Sequence, residues 1–241
     1  MASIDRLVLK LERRDAVSID EKRVLESAVA RIETHAADED VVVEGVPQTE
    51  SRLQLDGVSC RYKAMSDGRR QIMELHFGGD FVDLHSFTLK KLDHNIGAIT
   101  RLSFAIVPHA ALREISETQP HLTRLLWLMT MLDSAVQREW VISAGRRSAL
   151  ARIAHLFCEL FMRLEVTRQT DGNCYSLPLT QEDMADACGL TPVHVNRTLQ
   201  ELRAGGTVEW QRGTVTIKDW PALQAIAEFD PAYLYLERQP R

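Results

Sequence analysis

No apolar run in the chain approaches the roughly 20 residues that a membrane-spanning helix needs, and its start lacks the basic-then-apolar pattern of a secretory leader. The expectation is a cytoplasmic protein with no membrane partner. Paired cysteines are missing too. Cys60, Cys158, Cys174 and Cys188 stand far apart, so none of the short spacings that hold zinc or an iron–sulfur cluster, or that exchange disulfides, is present. Cys60 and Cys158 fall in apolar runs and read as small buried hydrophobes, which leaves Cys188 as the thiol to test for oxidation. Nor is there an excess of positive charge: 29 lysines and arginines face 34 acids, a net charge of −5. Bulk attraction to a polyanion is thereby excluded. Any nucleic-acid contact must use basic groups gathered on one face, with Glu228, Asp230 and Glu237 elsewhere. The chain has no internal repeat or low-complexity tract, and no convergent set of acids and nucleophile from which to build an enzyme.

What is present is most informative between Thr180 and Leu202, T-Q-E-D-M-A-D-A-C-G-L-T-P-V-H-V-N-R-T-L-Q-E-L. Thr180 precedes Asp183 by three positions, a capping pair that opens a helix through Gln181 and beyond. Gly189 supplies the freedom a tight turn needs, and Thr191 followed by Pro192 restarts the chain as N-cap and first helical residue. Two short helices at this interval are a helix-turn-helix. On the second, Val195, Leu199 and Leu202 form an inward stripe. The opposite face carries Val193, His194, Asn196, Arg197 and Gln200, side chains that suit base edges and phosphates in a major groove. Arg197 is the foremost of these because a planar guanidinium bonds both acceptors of a guanine, whereas Val193 offers only an apolar contact. The plain alternative is a helical hairpin whose polar face meets water.

The continuation argues against that alternative. Gly205-Gly206 ends the helix, and Thr207 to Ile217 reads as two short alternating strands about a polar turn, a wing with Arg212 at its tip to reach a phosphate. Upstream, the first 35 residues are helical in pattern, with a capping pair at Ser18 and Glu21 and a face of Val24, Leu25, Ala28, Val29 and Ile32. Val41 to Val43, Leu53 to Tyr62, Gln71 to Phe77 and Ile96 to Val107 read as antiparallel strands of a compact roll. From Gln119-Pro120 to Gly145 runs a long helix in which Leu122, Leu125, Met129, Leu132 and Val136 recur as a coiled-coil seam does. Leu126, Leu128, Met131, Ala135, Trp140 and Val141 form a second apolar set, so this helix needs burial on two sides, and a two-fold homodimer through the seam satisfies it; the plain alternative is the central helix of a monomer. Arg146 to Glu165 makes a further amphipathic helix. The fold class is therefore α+β: a β-roll with N-terminal helices over 1–118, a dimerisation helix and hinge over 119–145, and a winged helix-turn-helix over 146–241.

With these parts in order, the chain resembles the Crp/Fnr family of transcription regulators over nearly its whole length. The closest stretches are G-G-D-F-V-D-L at Gly78 to Leu84, R-I-A-H-L-F-C-E-L at Arg152 to Leu160, and Leu179 to Leu202. The resemblance implies a cyclic-nucleotide-binding-like roll, a homodimer on an inverted repeat of double-stranded DNA, and RNA polymerase as a candidate partner. It matches Arg197 to the arginine that contacts guanine, while Val193 stands where many members carry a glutamate. The sensor half departs further. The ribose glutamate and the phosphate Arg-Ser pair of cyclic-nucleotide binders fall near Leu84 and at His94-Asn95, and the loss of a bidentate arginine argues against cyclic AMP. The cysteine cluster of oxygen-sensing members is absent, so no iron–sulfur cluster or other cofactor is expected. Lys90, Lys91 and His94 remain as a candidate site for some other anion. His76, His85, His94 and His109, with Asp80 and Asp83, match no closed metal-ligand set. A competing function is a ligand-binding roll whose helix-turn-helix contacts protein.

Overall fold

The computed structural model describes residues 4–241. By internal contacts the chain forms two compact units. The first comprises the chain up to Lys63, Leu75–Ser134 and Tyr235–Arg241, and the second comprises Ala64–Glu74 and Ala135–Leu234.

The first unit opens with α1 (Asp5–Glu12) and α2 (Ile19–Ser27). Ser18 caps α2 as its sequence requires: its hydroxyl accepts from the Glu21 N–H, and the Glu21 carboxylate accepts from the Ser18 N–H. The strands are β1 (Arg31–His35), β2 (Asp40–Val42), β3 (Glu50–Asp56), β4 (Ser59–Ala64), β5 (Arg70–His76), β6 (Asn95–Ala98) and β7 (Leu102–Pro108). Within this unit β1-β7-β3 form one antiparallel sheet and β2-β6-β4 another, while most of β5 falls in the Ala64–Glu74 segment of the second unit. Strand β7 is apolar on both sides because both are covered. Leu102, Phe104 and Ile106 alternate into the roll interior with Val42, Val82, Leu92 and Ile96, while Ala105 and Val107 turn outward to Leu7, Leu11 and the helices.

Three expectations change at element boundaries. The run Leu53 to Tyr62 divides into β3 and β4 at Gly57, whose φ of +84° and close approach to the Arg101 carbonyl leave no room for a Cβ. The run Ile96 to Val107 likewise divides into β6 and β7. Ile32, placed on a helical face by spacing, lies instead in β1, paired with Ala105. A short helix α3 (Ser86–Leu89) and a longer one, α4 (His109–Thr118), also appear. Helix α4 follows directly from the strand through Pro108, and Leu112 and Ile115 anchor it in the core.

Helix α5 (Pro120–Arg146) is the long helix. Here the seam expectation is corrected. Leu122, Leu125, Met129 and Leu132 are buried in the core of the first unit, and Val136 is buried as well. These five face their own chain and are not free to meet another. The exposed stripe runs Arg124, Trp127, Met131, Arg138 and Val141, with half-exposed Ser134 between them, again at alternating intervals of three and four. Both faces repeat with the same period, so spacing alone does not say which one the chain itself consumes.

The second unit contains α6 (Ala149–Val166), β8 (Thr170–Asp171), β9 (Cys174–Ser176), α7 (Gln181–Cys188), α8 (Pro192–Ala204), β10 (Val208–Gln211), β11 (Thr214–Ile217), α9 (Trp220–Ala227) and a 3₁₀ turn at Pro231–Leu234. Helix α6 begins at Ala149, where the Ser148 hydroxyl accepts from the Ala151 N–H, rather than at Arg146. Ile153, Phe157 and Leu160 are wholly buried, and so is the carboxylate of Glu159. Burial pushes the Glu159 pKa up, and Arg163 opposes the shift. The carboxylate also accepts from Trp140 Nε1 at 3.0 Å and Tyr233 Oη at 2.8 Å. No helix among the described residues is long and apolar enough to cross a membrane.

Candidate nucleic-acid interface

Helix α7 starts where the Thr180 hydroxyl accepts from the Asp183 N–H at 3.0 Å and Asp183 Oδ2 accepts from the Thr180 N–H at 2.7 Å. Two of the otherwise orphaned donors at this end are satisfied, and a negative charge sits in the positive field of the first turn. The other Asp183 oxygen pairs with Arg70 Nη2 at 2.5 Å, while Arg70 Nε reaches Asp186 at 2.9 Å, all within the second unit. Gly189 ends α7 in the left-handed conformation, φ 61° and ψ 42°, as the turn demands. Thr191 then caps α8 through the His194 N–H, with Pro192 in the first turn.

Val195 and Leu202 are buried and Leu199 is half-buried, so the inward stripe of α8 is where its spacing puts it. Val193, His194, Asn196, Arg197 and Gln200 are all exposed. Their polar members are ordered in part by one another: Asn196 Nδ2 donates to Gln181 Oε1 at 3.4 Å, and Gln200 Nε2 donates to Asn196 Oδ1 at 2.8 Å. Arg197 stands beside this ladder with no hydrogen bond or ion pair among the described residues. A guanine edge or a phosphate can take two of the five donors of such a guanidinium at once.

The wing is larger than two strands. Strands β10 and β11 pair antiparallel, and β9 and β8 extend them into a four-stranded sheet ordered β10-β11-β9-β8. Arg212 sits exposed at the β10–β11 turn with φ 51°. Trp210 Nε1 donates to the Leu177 carbonyl at 3.0 Å, tying the wing to the strand that leads into α7. At the far end of α8, Glu209 pairs with Arg203 at 3.3 Å.

Arg152, quoted above only as part of a familiar stretch, has a definite role. Its Nη1 donates to the Cys188 carbonyl at 2.5 Å, and its Nη2 donates to the carbonyls of Ala144 at 2.9 Å and Arg147 at 3.1 Å. One guanidinium thus satisfies carbonyls at the C-terminal ends of α5 and α7, where cations are favoured. Only the fold brings those ends together. Cys188 itself is buried, and burial pushes its thiol up to about 12, which is the opposite of the exposed, thiolate-rich setting that oxidation requires. Cys60 and Cys158 are fully buried, as read.

In the first unit the side chains of Lys90 and His94 have separate partners, while Lys91 is exposed. The Lys90 ammonium folds back onto the Phe87 carbonyl and lies 5.0 Å from that ring. Lys91 bridges to Pro47 through its backbone. His94 is buried against Asp93, and burial and Arg61 together lower its pKa, leaving it uncharged near neutrality. Of the other histidines and acids, His85 has its ring centroid 5.3 Å from that of His94, His109 meets Ser51 and Ser86, Asp80 pairs with Lys10, and Asp83 pairs with Arg52.

A capped helix pair turned on a left-handed glycine, a second helix with an exposed polar face, and a wing beside it define a winged helix-turn-helix protein of the DNA-binding class. Residues 151–226 match the family of Crp-like helix-turn-helix domains. The chain is 30% identical over 178 residues to the nitrogen fixation regulation protein FixK of Bradyrhizobium diazoefficiens, covering 72% of each protein. It is also 30% identical over 155 residues to the transcriptional activator FnrL of Cereibacter sphaeroides, covering 63% of this chain and 62% of FnrL. The solved structure of FixK2 from Bradyrhizobium japonicum superposes with a TM-score of 0.75 at 25% identity, covering 82% of this chain and 97% of that one. The chain belongs to the Crp/Fnr family and is a DNA-binding transcription regulator.

Proposed function

We propose that this regulator works in the cytoplasm as a homodimer that reads an inverted repeat, each α8 lying in one major groove and each wing touching the flanking backbone. The observation that carries the reading is Arg197, exposed and unpaired beside an ordered polar ladder at the outer face of α8. In this reading Arg197 takes a guanine. Asn196, Gln200 and His194 contact neighbouring bases or phosphates, and Thr180, Gln181, Thr191 and Arg212 hold the sugar–phosphate backbone. The dimer forms through the exposed α5 stripe of Trp127, Met131 and Val141, which lie 65%, 49% and 72% exposed in the single chain. Large apolar side chains left exposed along one face of a long helix are what a second copy covers. Two copies so joined present α8 helices at about one turn of duplex, about 34 Å. RNA polymerase is the further partner that an activator would engage.

The test is selection of bound fragments from a random duplex pool. The proposal expects an inverted repeat with a guanine in each half-site, and a pool that enriches no repeat overturns it. The purified protein should also sediment as a dimer.

A further inference from the structure

Val193 is 78% exposed, the most exposed large apolar side chain among the described residues. It occupies the second position of α8, where nothing in the fold rewards it. A β-branched residue is a poorer helix former than alanine or glutamate, and the first turn of a helix favours an acid. On the same face Arg197 follows four residues later and Gln200 three after that, so the three side chains stack one above another. Asn196 is already held at both ends of its amide, by Gln181 and Gln200. Asn196 and Gln200 therefore have set directions, and Val193 alone on this face offers no donor or acceptor, only two methyl groups.

In the major groove of unmodified duplex, the apolar group that a base edge presents is the C5-methyl of thymine. We propose that Val193 makes the reading head a sensor of a 5-methylpyrimidine, so that each half-site carries a C5-methyl close to the guanine taken by Arg197. The inference rests on the DNA-reading function proposed above and adds the class of base. Four helical residues span about 6 Å, which places the methyl within about two base-pair steps of that guanine. An adenine or cytosine amino group at the same place loses its water to the valine methyls and gains no partner in exchange. The same side chain thus favours the methyl and discriminates against a bare amino edge.

The experiment starts from the selected inverted-repeat duplex and replaces each thymidine in turn, symmetrically in both half-sites, with deoxyuridine, which removes only the methyl. At one position the wild-type protein should lose about four-fold in affinity per half-site, the worth of one buried methyl group. Placing 5-methylcytosine rather than cytosine there should recover a similar factor. V193A should bind the thymidine and deoxyuridine duplexes equally while keeping its preference for the guanine, which shows that the helix still docks. Equal binding of all wild-type pairs, on a repeat that selection did enrich, overturns the methyl inference and leaves the inverted-repeat reading standing. Methyl dependence that survives in V193A also overturns it, because the contact then belongs to another side chain. Failure to enrich any repeat overturns the underlying function instead.

Discussion

Thr180 shows how far one residue can be read before any fold is known. Its hydroxyl and the Asp183 carboxylate exchange hydrogen bonds with each other's backbone, three positions apart, as the local spacing requires. Thr180→Ala should cost about 1 kcal/mol of stability, measured as a lowered midpoint in urea at unchanged m-value. Arg197→Ala leaves the fold alone, since the side chain supports nothing in it. It should weaken binding by about 1–3 kcal/mol and relax preference at one base pair of each half-site, checked by titrating a panel of single-base variants of the site. His155 belongs with the residues that local sequence does not explain. It is buried beside Tyr233 and Phe229, and burial, with Arg147 nearby, lowers its pKa to about 3. The unfolded chain therefore binds a proton that the folded one refuses. The stability this histidine leaves intact above its ordinary pKa of 6.5 is lost as pH falls from there toward 3. The loss proceeds at about 1.4 kcal/mol per pH unit. His155→Phe should remove one proton from that slope, and denaturant melts across the window give the answer.

Among the elements, those with their own punctuation were legible and those defined by neighbours were not. Helices α2, α7 and α8 begin at the capping residues that announce them. Helix α4 and strands β8 and β9 carry no side-chain cap, and they exist because of what they meet: β9 pairs with β11, and β8 pairs with β9. Helix α9 is the exception, since Asp219 accepts from the Ala222 N–H and Pro221 stands in its first turn, a local signal that the sequence expectations omit. Helix α5 is the instructive case. Its length and its two apolar faces were plain, yet the face chosen for the dimer was the one already spent on the core of its own unit. If the exposed stripe is the seam, Met131→Glu should leave folding intact, because Met131 is half-exposed. It should also shift the protein to a monomer by analytical ultracentrifugation. A dimer of undiminished stability would place the interface on another surface.

For the whole molecule, the sequence by itself determined the class. Charge, caps, the turn glycine and the wing pattern are each written in residues a few positions apart, and local stereochemistry suffices to interpret them. The family resemblance then carried the β-roll and the DNA-reading function; the likeness to the FixK2 structure agrees with the fold, and the match to Crp-like helix-turn-helix domains agrees with the function. Tertiary structure decided what depends on burial and on distant pairs. It buried the Cys188 thiol and raised its pKa, sent the side chains of Lys90 and His94 to different partners, and turned Leu122, Leu125, Met129, Leu132 and Val136 inward. It also joined Arg152 to two helix ends and Asn196 to Gln181. The physical reason is range. A hydrogen bond three residues long is fixed by backbone geometry, but which of two equally periodic faces loses its water depends on every surface the chain can bring against it.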